Sequence, residues 1–232
     1  MTDDCAIISC EVFRPELRHL TGEQPDRCYF LPQGLHRHPQ VLRRTLQGII
    51  DGLDANGRVD TILLAYGLCG NGLDGIRSKK SRLLVPHCED CIPVLHGLSS
   101  FGDPGRIDKT GTYYLSPGWI RYGSDAYREY RRCLSFLDNE EAFWVTREMI
   151  KSYSRFALID TGLDSLEDDR AYARMVAAFF GLDYLEVRGS LDWLAGLLEK
   201  PVSDPRYVRA GPGEELTGEM FRRCISMSKL AQ

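Results

Sequence analysis

The sequence predicts an α/β fold, a mainly parallel sheet flanked by helices and Rossmann-like in character, and three observations carry that prediction. Apolar runs of strand length recur along the chain, among them CAIISC, ILLA, RLLVP and RFALID. They are nearly continuous rather than alternating, as expected of strands buried on both faces of a helix-covered parallel sheet. Between them lie segments of helical period, such as Val41, Leu42, Leu46, Ile49, Ile50 and Leu53. Finally, several runs stop at a glycine, proline or cysteine, and in open α/β sheets ligands sit beyond the carboxyl ends of the strands.

The first strand is expected at residues 5–12, with Cys10 near its carboxyl end, followed by a helix with Pro15 in its first turn. Cys28–Leu31 gives a second short strand, broken by Pro32 and Gly34. Pro39 opens the next helix and Gly57 closes it. VDTILLAYGLCGNGL and RLLVPHCEDCI are then two buried strands, each running into cysteine. PVLHGLSSF (93–101) suits a helix starting just after Cys91, and GTYYLSPGW an apolar segment closed by a turn that folds over the crevice. Two helices follow Asp125. RFALID, LEDDRAYARMVAAFF, DYLEVR and SLDWLAGLLE repeat strand and helix, and a short strand, a Pro-Gly turn and a final helix close the chain.

At 232 residues the chain reads as a single α/β unit over 1–232, with two lobes facing a cleft: a cysteine-bearing lobe at 1–122 and a helical connection plus second strand-helix set at 123–232. A core of this size needs no metal as a staple, so a metal would be functional. Net charge is −4 with the signs interspersed, which disfavours nucleic acid as a partner. No apolar stretch approaches the roughly 18–20 residues that span a bilayer. The acidic start lacks the basic flank of a secretory signal, so a cytoplasmic protein is expected. Aromatic residues on the helices after Asp125 suggest a homodimer.

Eight cysteines in a reducing compartment point to metal or redox chemistry rather than a disulfide framework. Cys5, Cys28, Cys133 and Cys224 read as core residues. Cys10, Cys69, Cys88 and Cys91 form a candidate four-thiolate set arriving from three strand ends, suited to zinc or an iron-sulphur cluster. His36, after a strand end, and His87, within HCEDC, are candidate additional ligands. Glu89, Asp90 and the strand-end Asp160 are candidate proton carriers. YGLCGNGL lacks the spacing of a P-loop or dinucleotide fingerprint, so its glycines are read as turning the backbone around Cys69. Gly67, Gly70, Asn71, Tyr114 and Trp119 are candidate cofactor-binding residues.

ISCEVFRPEL, LPQGLHRHP, ILLAYGLCGNGL, the DC-I of HCEDCI, and GTYYLSPGW together resemble successive blocks of the uncharacterised domain-of-unknown-function family sixteen thirty-eight, over most of residues 5–122. Its blocks map onto Cys10, Cys69 and Cys91. Many members place a histidine immediately before the Asp-Cys pair, where this chain has Glu89. The resemblance implies an association with corrinoid proteins and corrinoid-dependent methyltransferases, with no assigned reaction. The expectation is therefore a metal-binding protein holding an iron-sulphur cluster, with a redox or accessory role in corrinoid-linked one-carbon metabolism. The alternatives are a zinc enzyme activating a thiol or water, and a non-catalytic metal or corrinoid carrier.

Overall fold

Two sheets, one mainly and one wholly parallel, share one layer of helices in the computed structural model, which describes residues 5–22, 28–97, 110–163 and 166–221. The first sheet has the order β2-β1-β3-β4-β8, from β1 (Cys5–Cys10), β2 (Cys28–Leu31), β3 (Thr61–Ala65), β4 (Arg82–Pro86) and β8 (Tyr207–Ala210). Its first four strands are parallel and β8 adds an antiparallel edge. The second sheet, β5 (Thr112–Leu115), β6 (Arg155–Asp160) and β7 (Asp183–Arg188), is parallel throughout. The strand sets divide earlier than expected. Strand β5 belongs with the second sheet, and β8 returns to the first.

The continuous apolar runs are explained by burial on both faces. In β1, Cys5 and Ile7 face one core while Ala6 and Ile8 face another, and in β3 Leu63 and Ala65 alternate likewise with Ile62 and Leu64. One side is covered by α2 (Pro39–Asn56) through Leu42, Leu46, Ile50 and Leu53. Gly57 ends that helix in the left-handed conformation, as its position predicts. The other side meets α1 (Arg14–Thr21), α3 (Cys91–His96) and α8 (Asp192–Leu198) through Leu17, Val94, Leu95, Trp193, Leu194 and Leu197. Tyr114, Ala157 and Ile159 of the second sheet pack into this same core. Each such fully buried side chain contributes roughly 1.5–3 kcal/mol, so this shared layer binds the two sheets together.

A third core lies on the outer side of the second sheet, beneath α4 (Pro117–Tyr122), α5 (Ala126–Cys133), α6 (Asn139–Met149) and α7 (Leu166–Phe180). Phe136, Trp144 and Met149 remain exposed around the α5–α6 pair. Among the described residues no helix is long and apolar enough to cross a membrane. Strand β1 ends at Cys10 rather than at residue 12, because Glu11–Phe13 turn as a 3-10 helix that buries Val12 and Phe13. The final helix is described only as far as Phe221, and Cys224 lies outside the described residues.

The order β2-β1-β3 creates a switch point: the chain leaves β1 to one side and returns on the other. The crevice at the carboxyl ends of β1 and β3 is where such sheets bind ligands.

Candidate functional site

Cys10 is the last residue of β1, Cys69 follows β3 in a tight loop, and Cys91 is the first residue of α3 beyond β4. The loops after β3 and β4 continue the pairing of their strands. Leu68 N–H donates to the Cys88 carbonyl and Cys69 N–H to the Glu89 carbonyl, both at 2.9 Å. Gly67 permits this approach: a Cβ there would lie 2.6–2.8 Å from the backbone N, Cα and C of Asp90. Cys69, Gly70 and Asn71 then take φ of 47°, 64° and 67° in succession. The left-handed conformation costs a side-chain-bearing residue such as Cys69 about 1 kcal/mol, a cost that proteins retain most often at functional sites.

The three cysteines line one cavity of about 550 Å3, together with Tyr66, Gly67, Gln33, His36, Glu89 and Trp119 and with apolar walls from Phe13, Leu42 and Ile92. This volume suits a small molecule or cofactor. The 3-10 turn Gln33–Arg37 brings His36 to the rim, its ring 6.4 Å from that of Trp119. Trp119 is placed by α4, whose N-cap Ser116 accepts a hydrogen bond from the Trp119 N–H at 3.2 Å. Gly118 beside it has no room for a side chain, since a Cβ would fall 1.8 Å from the Val12 carbonyl oxygen.

Burial pushes the Cys10 and Cys69 thiols up to about 12, and the Cys91 thiol well above its ordinary range. Charge adds to burial, since Cys69 feels Cys10, and Cys91 feels Asp90, Cys10, Cys69 and Cys88. The backbone N–H groups of Val12 at Cys10 and Gly67 at Cys69 offset only part of this. A helix N-terminus lowers a nearby thiol's pKa, but at Cys91 enclosure outweighs the terminus of the short α3. A bound cation would reverse the balance, because coordination deprotonates thiols. Burial also lowers the His36 pKa, favouring the neutral imidazole that metals bind. Among the described residues no group of three His, Cys, Asp or Glu is arranged to hold a metal ion, and the three thiols share the lining of one cavity.

The remaining candidates fall elsewhere. Cys88 is not among the residues lining the cavity; its Sγ–H donates to the Asp90 carbonyl at 3.2 Å, and like Cys10 and Cys91 it packs partly against the shared core. His87 is buried against the carbonyl and ring of Phe221. Glu89 and Asp90 reach the cavity lining, and the Asp90 carboxylate caps α3 by accepting from the Ile92 N–H at 2.9 Å. Asp160 lies in the second sheet, where it accepts from Gly162 N–H at 2.8 Å and faces Arg170 at 3.4 Å. Tyr114 sits in the core with its ring edge-on to His96. Gly67, Gly70, Asn71 and Trp119 do line the cavity.

Sequence reasoning missed Tyr66 and Gln33, both buried in the cavity wall. The available signal was their place beside strand ends, Tyr66 directly after β3 and Gln33 in the turn after β2.

A family model described as protein of unknown function (DUF1638) matches residues 30–198, more than half of the chain. The match begins in β2 and ends in α8, taking in His36, Cys69, Cys91 and Trp119 and lying beyond Cys10. It also continues past residue 122 through the whole of the second sheet. No curated protein and no solved structure matches.

Proposed function

The chain belongs to the DUF1638 family of proteins of unknown function, and from the geometry of its cavity we propose that it is a metal-binding protein in which Cys10, Cys69 and Cys91 hold an iron-sulphur cluster. The observation that carries this reading is that three thiols, delivered by three separate strand ends, line one cavity. A cluster offers separate irons to separate thiolates, which suits thiols arriving from three strand ends.

Such a cluster would supply electron transfer or an open iron position for a substrate atom. The protein's own contribution is placement and enclosure. The Val12 and Gly67 N–H groups face the Cys10 and Cys69 sulphurs, where donors of this kind tune thiolate-bound clusters. His36 would be the nitrogen ligand lining the cavity, and Glu89 or Asp90, both in its lining, would exchange protons with a bound molecule. The family resemblance adds the biological setting: a redox or accessory role beside a corrinoid protein or corrinoid-dependent methyltransferase.

Single replacement of each thiol tests the assignment. Cys10→Ala, Cys69→Ala and Cys91→Ala are each expected to abolish the cluster's absorption after reconstitution with iron and sulphide, while Cys88→Ala retains it. Retention of full absorption by any of the first three would reject the ligand set.

A further inference from the structure

Two residues lining this cavity carry buried hydrogen-bond donors with no acceptor among the described residues. Tyr66 Oη and Trp119 Nε1 are both enclosed, and neither meets a partner among the described residues. Tyr66 is only 3% exposed. It stands one rung beyond the Ser9–Ala65 pair, level with Cys10 across the sheet. Trp119 belongs to α4, which the close approach of Gly118 to Val12 holds in place. A buried donor left unsatisfied is destabilising, so two on the lining residues of one cavity mark a place for acceptor atoms from outside the chain.

Charge decides what kind of acceptor. Among the described residues lining the cavity none is lysine or arginine, whereas two are Glu89 and Asp90 and three are the thiols. An anionic ligand would lose its hydration without gaining a counter-ion, and thiolates would repel it further. A neutral carbonyl meets no such penalty. The indole of Trp119 and the imidazole of His36, with Phe13 and Ile92 nearby, provide flat and apolar surface for the rest of the molecule.

We infer that the cavity binds a neutral, planar, carbonyl-bearing molecule of the amide or lactam class, with its oxygens accepting from Tyr66 Oη–H and Trp119 Nε1–H. The inference rests on the reading of this cavity as the functional site, and not on which metal the thiols hold.

Nicotinamide and nicotinate form a matched test pair, the same ring with a neutral amide or a carboxylate. Binding is followed by ligand-observed NMR on the wild type and on Tyr66→Phe, with iron and sulphide measured on both. Nicotinamide is expected to bind saturably in the millimolar range and nicotinate about tenfold more weakly or not at all. Tyr66→Phe is expected to weaken nicotinamide roughly three- to tenfold, without changing metal content or lowering the melting temperature. Equal or tighter binding of nicotinate, no saturable binding of nicotinamide, or an unchanged affinity in Tyr66→Phe would overturn the inference. Metal content separates the two proposals: protein free of iron and sulphide that still prefers nicotinamide refutes the cluster and retains the ligand class, and cluster-loaded protein without that preference does the reverse.

Discussion

Gly67→Ala perturbs the site's geometry directly, because it adds one methyl group where two cysteine-bearing loops touch. The new Cβ would sit 2.6, 2.7 and 2.8 Å from the N, Cα and C of Asp90. All three are backbone atoms, so no side-chain rotation relieves the contact, and the loops must part by on the order of 1 Å to restore ordinary carbon contacts near 3.5–4.0 Å. That movement strains the Leu68–Cys88 and Cys69–Glu89 hydrogen bonds, each 2.9 Å long and each worth about 1 kcal/mol. The total falls at about 1–3 kcal/mol, typical of overpacking. A domain stable by roughly 5–15 kcal/mol survives this, but Cys69 is displaced relative to Cys91. Urea denaturation and iron content of the reconstituted variant measure the two effects. Gly52→Ala, in α2 with open space around its Cβ, is the control and is expected to gain roughly 0.5–1 kcal/mol. Gly67→Ala with wild-type stability and wild-type iron content would refute the idea that the two loops are locked together to place the thiols.

Glu16 offers a pH test between the two sheets. It is fully buried, its carboxylate accepts from the Thr161 hydroxyl at 3.1 Å, and burial raises its pKa from 4.5 to about 7. The folded state therefore binds more protons than the unfolded chain between those values, so this contribution is complete below pH 4.5 and is lost as pH rises through 7. The loss amounts to about 3 kcal/mol at pH 8. Glu16→Gln, which keeps an acceptor for Thr161, should remove the slope and exceed the wild type in stability at pH 8 while matching it near pH 4; equal slopes in urea titrations would contradict this. Asp90→Ala should cost about 1 kcal/mol through loss of the α3 cap, whereas Asp90→Asn, also a good cap, should restore stability in thermal melts. The exposed Phe136, Trp144 and Met149 fit a homodimer, expected as twice the chain mass in light scattering and rejected by a monomer at all concentrations.

The central strands were legible because both of their faces are buried, which leaves an unbroken apolar run in β1, β3 and β4. Cys10, Cys69 and Cys91 were legible as a group for the related reason that parallel strands end on one edge. The pairing of Cys88 with Cys91 looked equally strong as spacing, yet Cys91 lines the cavity and Cys88, bonded to the Asp90 carbonyl in the loop before α3, does not. Spacing along the chain does not encode that difference. Asp160 and Tyr114 misled in another way: each lies in a strand of the second sheet, and no local pattern says which of two sheets a strand will join. Tyr66 was passed over because an aromatic residue closing an apolar run reads as core. Only the missing partner of its hydroxyl distinguishes it.

The most direct test of the central claim is iron, zinc and acid-labile sulphide analysis, with an ultraviolet-visible spectrum, on protein purified without oxygen. The account predicts a brown protein containing iron and sulphide in comparable amounts. A colourless protein, whether metal-free or carrying one equivalent of zinc and no sulphide, would contradict it.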